Sequence, residues 1–283
     1  MEPQGLEGRK HVNGTDPSAD TAIPAPLQLI VAPIGRVSYA VGEHAGQIGL
    51  LLWGVFCAFT QFRVSGREII RQIYVIGIQS LPIVMVTAGL AGIVTSQQGG
   101  YQFTGSIPLY VMGSVVTESV ILEMGPVLTA IVLVGRVGAR ITAELGTMKV
   151  SEQIDALYSV GRDPVEMLAA PRIVAALISL PLLVGIANLF GILAGMYTAN
   201  LTMGLGYESF FYGARLFWHS WDLFYSILKA LAFGFAIPVI AIHMGLRTAG
   251  GAAGVGKQTT QSVMFMTLTI LIIDAMFPPL FLQ

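Results

Sequence analysis

The chain has 283 residues, of which 54% are hydrophobic and 11% are charged, and its formal net charge is −1. A soluble domain carries roughly 25% charged residues, so this composition excludes a protein whose whole surface faces water and indicates one that lies in a bilayer. No basic block supports binding of nucleic acid, and the single Cys57 excludes an intramolecular disulfide bond.

The N-terminal region precedes the first clearly apolar stretch. Residues 1–26 are polar, rich in Pro and Gly and without the apolar core of a signal peptide, which predicts a disordered cytoplasmic tail. Residues 27–62 begin amphipathic, with Arg36, Glu43 and His44, and end in an apolar run that is short for a span. This pattern favours a helix that lies in the cytoplasmic interface of the membrane. The alternative is a sixth span.

Five later stretches have the ~20 apolar residues that a membrane-spanning helix needs. They cover residues ~69–95, ~107–142, ~165–200, ~222–246 and ~259–281. Pro82 predicts a kink in the first stretch, and the polar residues 96–106 predict a loop after it. The predicted fold is therefore an all-α polytopic membrane protein, with an N-terminal interfacial helix and five transmembrane helices.

The distribution of basic residues predicts the orientation of these spans, because Lys and Arg are enriched in cytoplasmic loops. With the N-terminus inside, only Arg215 falls in an outside loop. The basic residues that then lie inside are Arg63, Arg67, Arg71, Arg136, Arg140, Lys149, Arg162, Arg172, Arg247 and Lys257. The sequence thus predicts a multi-pass protein whose N-terminus is cytoplasmic.

The stretch GGAAGVGKQTT, residues 250–260, has the spacing of a phosphate-binding loop, since four residues separate Gly251 from Gly256 and Lys257. Such a loop needs Ser or Thr directly after the lysine and a buried strand before it. Here Gln258 follows the lysine and an apolar helix precedes the stretch. We therefore interpret it as a turn of small residues that keeps Lys257 on the cytoplasmic side, and we do not expect the chain to be an ATPase or another enzyme.

Two sets of small residues predict close helix packing. Gly135, Ala139 and Ala143 recur at four-residue spacing from the second predicted span onward. Gly191 and Gly195 form a second pair in the third predicted span. Each set would let another helix approach closely.

A change of pattern follows Ala143 and predicts a short amphipathic helix at about residues 145–160. Its apolar face consists of Val150, Ile154, Leu157 and Tyr158. The polar residues that face away are Lys149, Glu152, Gln153 and Asp155. Such a helix in a cytoplasmic loop between the second and third spans is either an idle interfacial helix or a docking surface for a cytoplasmic partner.

The same region carries a series of short motifs. They are Glu123-Met124-Gly125-Pro126, Gly135-Arg136-Val137-Gly138, Ala143-Glu144-Leu145-Gly146-Thr147-Met148, Glu152-Gln153-Ile154-Asp155-Ala156-Leu157, Asp163-Pro164 and Pro171-Arg172. With these motifs the chain closely resembles the MlaE (YrbE) family of lipid-transporting ABC permeases, and the resemblance extends more loosely over residues 27–283. One departure is Leu122, where many family members carry a basic residue.

The resemblance implies a permease domain at residues 27–283 that forms a homodimer in a bacterial inner membrane. It implies a cytoplasmic ABC ATPase subunit docked on the helix at 145–160, with ATP and Mg on that partner and no cofactor on this chain. It also implies a periplasmic MCE-domain protein and a cargo of phospholipid or another lipid, moved between inner and outer membranes. The residues expected to couple to the ATPase are Lys149, Glu152, Gln153, Asp155 and Arg162.

Four charged residues, Glu118, Glu123, Lys229 and Asp274, lie within or near predicted spans and away from the predicted cytoplasmic ends. A charge at the bilayer centre costs ~2.5–3.5 kcal/mol on insertion scales, so it usually faces a cavity or a partner. Counted from the outer ends of their spans, Lys229 and Asp274 have similar depths and could pair, while Glu123 is deeper. They form either a structural ion pair or a polar network that opens with a lipid cavity. A proton-coupled secondary transporter that uses the buried acids is the alternative function.

Overall fold

The computed structural model of the protein describes residues 25–60, 64–102 and 108–281. Within these residues all regular elements are helical. The chain divides into two units between Gln47 and Ile48. Helix α1 (Ala25–Thr60) contains the described part of the first unit and the start of the second. The predicted tail lies almost entirely outside the described residues.

The first span, Gly66–Gln102, is broken once near its start. Helices α2 (Gly66–Ile76) and α3 (Leu81–Gln102) are separated by a short 3₁₀ turn at Ile78–Ser80. Pro82 lies in the first turn of α3, where its missing N–H has no intrahelical partner to lose. The first span is therefore interrupted just before the proline, and the predicted kink stays a prediction.

The end of α3 shows that the loop predicted at residues 96–106 is wrong over most of its length. The helix continues to Gln102, and only residues 103–107 lie outside the described residues. Gly99 packs against the Met112 side chain at the start of the second span. This contact stabilises a helix in a polar, glycine-rich stretch whose composition does not predict one.

The second span, Val111–Val150, is helical throughout but not uniformly α-helical. Its α-helical parts are α4 (Val111–Ser119), α5 (Gly125–Leu133) and α6 (Ala139–Val150). Two π-helical turns, Val120–Met124 and Val134–Gly138, join them. In such a turn an N–H bonds to the carbonyl five residues earlier, which often marks a functional site.

A short helix, α7 (Gln153–Ser159), connects the second span to the third. The third span, Val165–Met203, begins with a π-helical turn at Val165–Ala169 and continues as α8 (Ala170–Met203). At its far end α9 (Tyr207–Leu216) leads toward the fourth span.

The fourth span is α10 (Ser220–Leu246) and the fifth is α11 (Gly251–Phe281). The fifth helix begins at Gly251 and not at about residue 259, so the turn of small residues predicted at 250–260 is wrong beyond its first two residues. The chain reverses at Gly250 and Gly251, whose φ angles of 88° and 69° strongly favour glycine. The residues that follow are already helical.

Among the described residues, five segments are thus long and apolar enough to cross a membrane, and α1 is not one of them. Helices satisfy their own backbone groups, as a segment in lipid must. In the most apolar window of α10, 67% of residues are buried, against 17% in that of α11. The fourth span is therefore central to the protein, while the fifth has most of its apolar surface available to lipid or to another chain.

Glycines bring α3 and α8 close together. A Cβ on Gly92 would overlap the backbone carbonyl of Gly191, and one on Gly195 would lie 3.1 Å from the carbonyl oxygen of Gly92. The close packing predicted for Gly191 and Gly195 is therefore present, with the first span as the partner.

Gly92→Ala is expected to destabilise the protein by about 1–3 kcal/mol, because the added methyl group forces two backbones apart. Gly89→Ala is the matched control, since its Cβ would meet only the Cβ of Ala194 at 3.9 Å. Both changes add the same helix propensity to α3. Thermal unfolding in detergent should give a lower midpoint for Gly92→Ala alone. Equal midpoints for the two variants would contradict this account of the contact.

Candidate functional site

A buried lysine joins three of the five spans. Lys229 on α10 is 0% exposed. Its Nζ donates to Glu123 Oε2 at 2.7 Å and to the Leu122 carbonyl oxygen at 3.2 Å, and it forms an ion pair with Asp274 Oδ1. The structure thus brings together the three residues predicted to form an ion pair or polar network, and Glu118 is not part of this cluster. We call Glu123, Lys229 and Asp274 the charged triad.

The local sequence explains why a backbone carbonyl takes part in this site. In an α-helix the N–H of residue 126 would bond to the carbonyl of residue 122, but Pro126 has no N–H. The Gly125 N–H bonds instead to the Val120 carbonyl, five residues earlier, which makes the π-helical turn. The Leu122 carbonyl is therefore free to accept from Lys229. Sequence reasoning missed this acceptor, although the proline four residues later indicates it.

Within the triad the lysine is buried and the glutamate is partly exposed. Side-chain exposure is 0% for Lys229, 16% for Asp274 and 45% for Glu123. One cation faces two carboxylates, so the ionised cluster carries a formal charge of −1. A carboxylate at such depth needs water or another polar group, and Glu123 is where such a group can reach the triad.

Packed polar and aromatic side chains hold the triad in place. The Tyr225 ring lies 5.5 Å from Lys229 Nζ, within the range of a cation–π interaction, and it packs edge-on against Phe277. Asn188 on α8 donates to Ser226 Oγ on α10 at 3.1 Å. This hydrogen bond joins the third span to the fourth.

The link between the second and third spans contains a shorter helix than the one predicted at 145–160. The second span runs on to Val150, Glu152 has left-handed backbone with φ 59°, and α7 covers only Gln153–Ser159. The Ser151 hydroxyl donates to the Thr147 carbonyl at 2.7 Å. The Ser151 N–H bonds to the same carbonyl at 2.9 Å, so helical hydrogen bonding continues to Ser151 and the helix breaks at the left-handed Glu152.

The break also divides the predicted apolar face. Val150 ends α6 and is 36% exposed, whereas Ile154 on α7 is buried at 3%. Leu157 is half-buried and Tyr158 is 59% exposed. The apolar contact of α7 with the rest of the protein therefore rests mainly on Ile154.

The residues predicted to couple to a partner lie together on this link. Lys149 Nζ bonds to Asp155 Oδ1 at 3.0 Å, and Gln153 donates to Ser151 Oγ at 3.0 Å. Glu152 is exposed at the turn, and Arg162 follows α7. The link therefore presents charged side chains of both signs at one end of the protein. A role in docking stays a prediction.

A family model described as "Permease MlaE" matches residues 69–279. The chain belongs to the MlaE permease family. The match covers all five spans, the charged triad and the α7 link.

Relatives of this permease come from distant organisms. A probable ABC transporter permease protein of Synechocystis is 37% identical over 77% of this chain and 83% of its own length. One of the same description from Rickettsia prowazekii is 32% identical over 88% of this chain and 98% of its length. The Arabidopsis thaliana protein TRIGALACTOSYLDIACYLGLYCEROL 1, chloroplastic, is 32% identical over 98% of this chain and 79% of its length.

The first small-residue stripe of this MlaE permease has a different environment from the glycines on α8. A Cβ on Gly135 would meet nothing within 4 Å, so at this residue the described chain provides no packing partner. Ala139 and Ala143 are only partly buried. The neighbouring Gly138 is the one that packs within the chain, against Met266 and Ile237.

The stretch that resembles a phosphate loop forms the first turns of α11. Thr259 and Thr260 hydroxyls donate to the carbonyls of Val255 and Gly256 in the same helix. A helical backbone uses its amides internally beyond the first turn, so it cannot wrap around a phosphate. No group of three or more His, Cys, Asp or Glu side chains suited to a metal ion occurs within the described residues.

Proposed function

We propose that this MlaE permease is the membrane subunit of an ATP-driven transporter that moves phospholipid or a related lipid between the inner and outer membranes of a bacterium. A cytoplasmic ABC ATPase docks on the α7 link and hydrolyses ATP with Mg. A periplasmic MCE-domain protein binds at the opposite end. The observation that carries the proposal is a charged, exposed link between two long apolar spans in a chain of this family.

The orientation proposed places α7 and the N-terminus in the cytoplasm. Arg140, Lys149, Arg162 and Arg172 lie on or beside the α7 link, and basic residues are retained on the cytoplasmic side of a membrane. The fifth span then ends on the periplasmic side. Helix α1, which is not among the five spans of the described residues, lies along the cytoplasmic interface.

Two observations support a homodimer. The Glu123 side chain is 45% exposed, and a carboxylate in contact with lipid tails would be strongly disfavoured. The Gly135 backbone is uncovered on a stripe that suits close helix packing. A second copy placed against the second span would cover both and would enclose a cavity beside the triad.

The lipid cargo is supported by the family and by one relative. The Arabidopsis relative is named after a galactolipid. A cavity that moves lipid needs apolar walls with a few polar groups to receive a headgroup, and the charged triad on apolar spans provides such groups.

A proton-coupled secondary transporter is the second candidate, and the composition of the triad is the observation that favours it. Two carboxylates share one lysine, so one acid could take up a proton without leaving an unpaired charge. This candidate needs no ATPase.

Reconstitution separates the two candidates. The tagged permease is purified from its native membrane with its bound partners and placed in proteoliposomes that contain a fluorescent phospholipid. We expect an ATPase and an MCE-domain protein to co-purify, and lipid movement to require ATP and to stop with vanadate. Lipid movement that continues without ATP and stops when a proton gradient is collapsed would contradict the ABC proposal and favour the alternative.

A further inference from the structure

A cavity of about 910 Å³ lies where the first, second and third spans come together beside the α7 link. Five arginines line it: Arg71, Arg136, Arg140, Arg162 and Arg172. It lies far from the charged triad, since Arg140 follows Glu123 by seventeen residues along the second span, or about 25 Å of helix. A volume in this range is typical of small-ligand sites.

The cavity contains more positive than negative charge. Its carboxylates are Glu68, Glu144 and Glu166, so five guanidinium groups face three acids. Glu144 pairs with two of the five arginines. Its Oε1 accepts from Arg140 Nε at 2.8 Å, and its Oε2 accepts from Arg172 Nη2 at 3.2 Å. A formal excess of two positive charges remains.

Two arginines have bonding capacity left over. Arg136 donates to the Ser80 hydroxyl, and within the described residues it pairs with no carboxylate. Arg172 is 7% exposed and donates to the Leu168 carbonyl at 2.8 Å, but its buried Nε has no partner among the described residues. Buried polar atoms without partners are rare and call for an explanation, such as a ligand that is absent.

The walls between the arginines are apolar. Val75 and Ile76 come from the first span, Val137 and Ile141 from the second, and Leu168 from the third. A site with guanidinium groups on apolar walls suits an anion, and guanidinium forks match phosphate oxygens in particular.

We propose that this cavity binds a phosphate group, carried either by the headgroup of an anionic lipid or by free phosphate, at a site separate from the charged triad. Thr147 and Met148 precede α7, Arg162 follows it, and all three line the cavity. A ligand there contacts both ends of the α7 link and holds them together. Binding does not depend on the proposed transport function, but its effect on ATPase coupling does.

Binding is measured on the full chain in dodecyl maltoside, by native mass spectrometry and by titration. The probes are dioctanoyl phosphatidylglycerol, dioctanoyl phosphatidylcholine and inorganic phosphate. We expect Arg136→Gln to bind the anionic probe about tenfold more weakly, which is the loss expected of one charge-assisted contact. Arg140→Gln should weaken it as well and leaves the Arg172–Glu144 pair in place. Arg215→Gln, an exposed arginine on α9, is the control and should bind normally.

The probes also identify the source of the phosphate. Saturable binding of phosphatidylglycerol that exceeds that of phosphatidylcholine and falls in Arg136→Gln supports a lipid headgroup. Saturable binding of inorganic phosphate with the same variant dependence supports free phosphate. Equal affinities in Arg136→Gln, Arg140→Gln and Arg215→Gln would overturn the proposal. It would also be overturned if the wild type bound none of the probes while Arg136→Gln lost the ATPase, because the cavity would then receive an acidic segment of that protein.

Discussion

Lys229→Met is expected to be the most damaging single substitution in this MlaE permease. The lysine is fully buried and is the counter-ion of both Glu123 and Asp274. Its removal leaves two carboxylates facing each other with no cation between them. Breaking a buried ion pair on one side costs about 3–5 kcal/mol, which is a large share of the stability of most domains. We expect little folded protein and a strongly lowered unfolding midpoint in detergent.

A triple variant separates the structural role of these charges from a role in transport. Lys229→Met combined with Glu123→Gln and Asp274→Asn leaves no unpaired charge, so the fold should be largely regained. If the triad is a network that opens with the lipid cavity, the triple variant assembles normally but moves no lipid. Normal transport by the assembled triple variant would mean that the triad only fixes the packing of the second, fourth and fifth spans.

The second large effect is expected at the α7 link. Glu152→Lys should weaken binding of the ATPase about tenfold. In the proposed dock Glu152 faces a basic residue of the ATPase, and a lysine in its place would be repelled by that residue. The measurements are the yield of co-purified ATPase and its stimulation by the permease. Glu208→Lys is the control, since it makes the same change at an exposed residue of α9.

The backbone at Glu152 requires one more variant. Its φ of 59° is left-handed, and asparagine tolerates that conformation better than most residues. Glu152→Asn therefore removes the charge without added backbone strain and should give an intermediate loss of binding. If Glu152→Lys and Glu152→Asn both bind the ATPase as the wild type does, this residue is not part of the dock.

Hydropathy predicted the five spans because it reports which residues suit lipid, but it gave poor helix ends. Helix α3 extends through polar residues to Gln102, and α11 begins at Gly251. A helix that leaves the membrane is held by packing, such as that of Gly99 on Met112, and not by its own hydrophobicity. Length and apolar composition therefore locate a span but do not locate where its helix stops.

The small-residue patterns show a similar limit. Gly135 with its alanines and Gly191 with Gly195 predicted close packing in the same way, yet Gly135 has no neighbour in the described chain, whereas the α8 pair packs closely. Whether a stripe is covered depends on residues distant in the sequence, here Gly92. The Lys229–Asp274 pair was easier to anticipate, because a charge inside a span must find a partner at its own depth. The greater depth predicted for Glu123 is wrong, since this carboxylate also reaches Lys229, at 2.7 Å.

The two π-helical turns add residues to the second span. An α-helix turns by about 100° per residue, and a π-helical turn contains one residue more than an α-helical turn. The turn at Val120–Met124 therefore absorbs one extra residue, and deleting a residue within it would restore an α-helical turn while the parts of the span on either side keep nearly the same phase. Glu123 lies inside this turn, so its position relative to Lys229 would change, although the hydropathy of the span would hardly change. When homologous spans are aligned, a single-residue gap at Val120–Met124 therefore indicates that a relative lacks the π-helical turn and places its residue 123 differently in the triad.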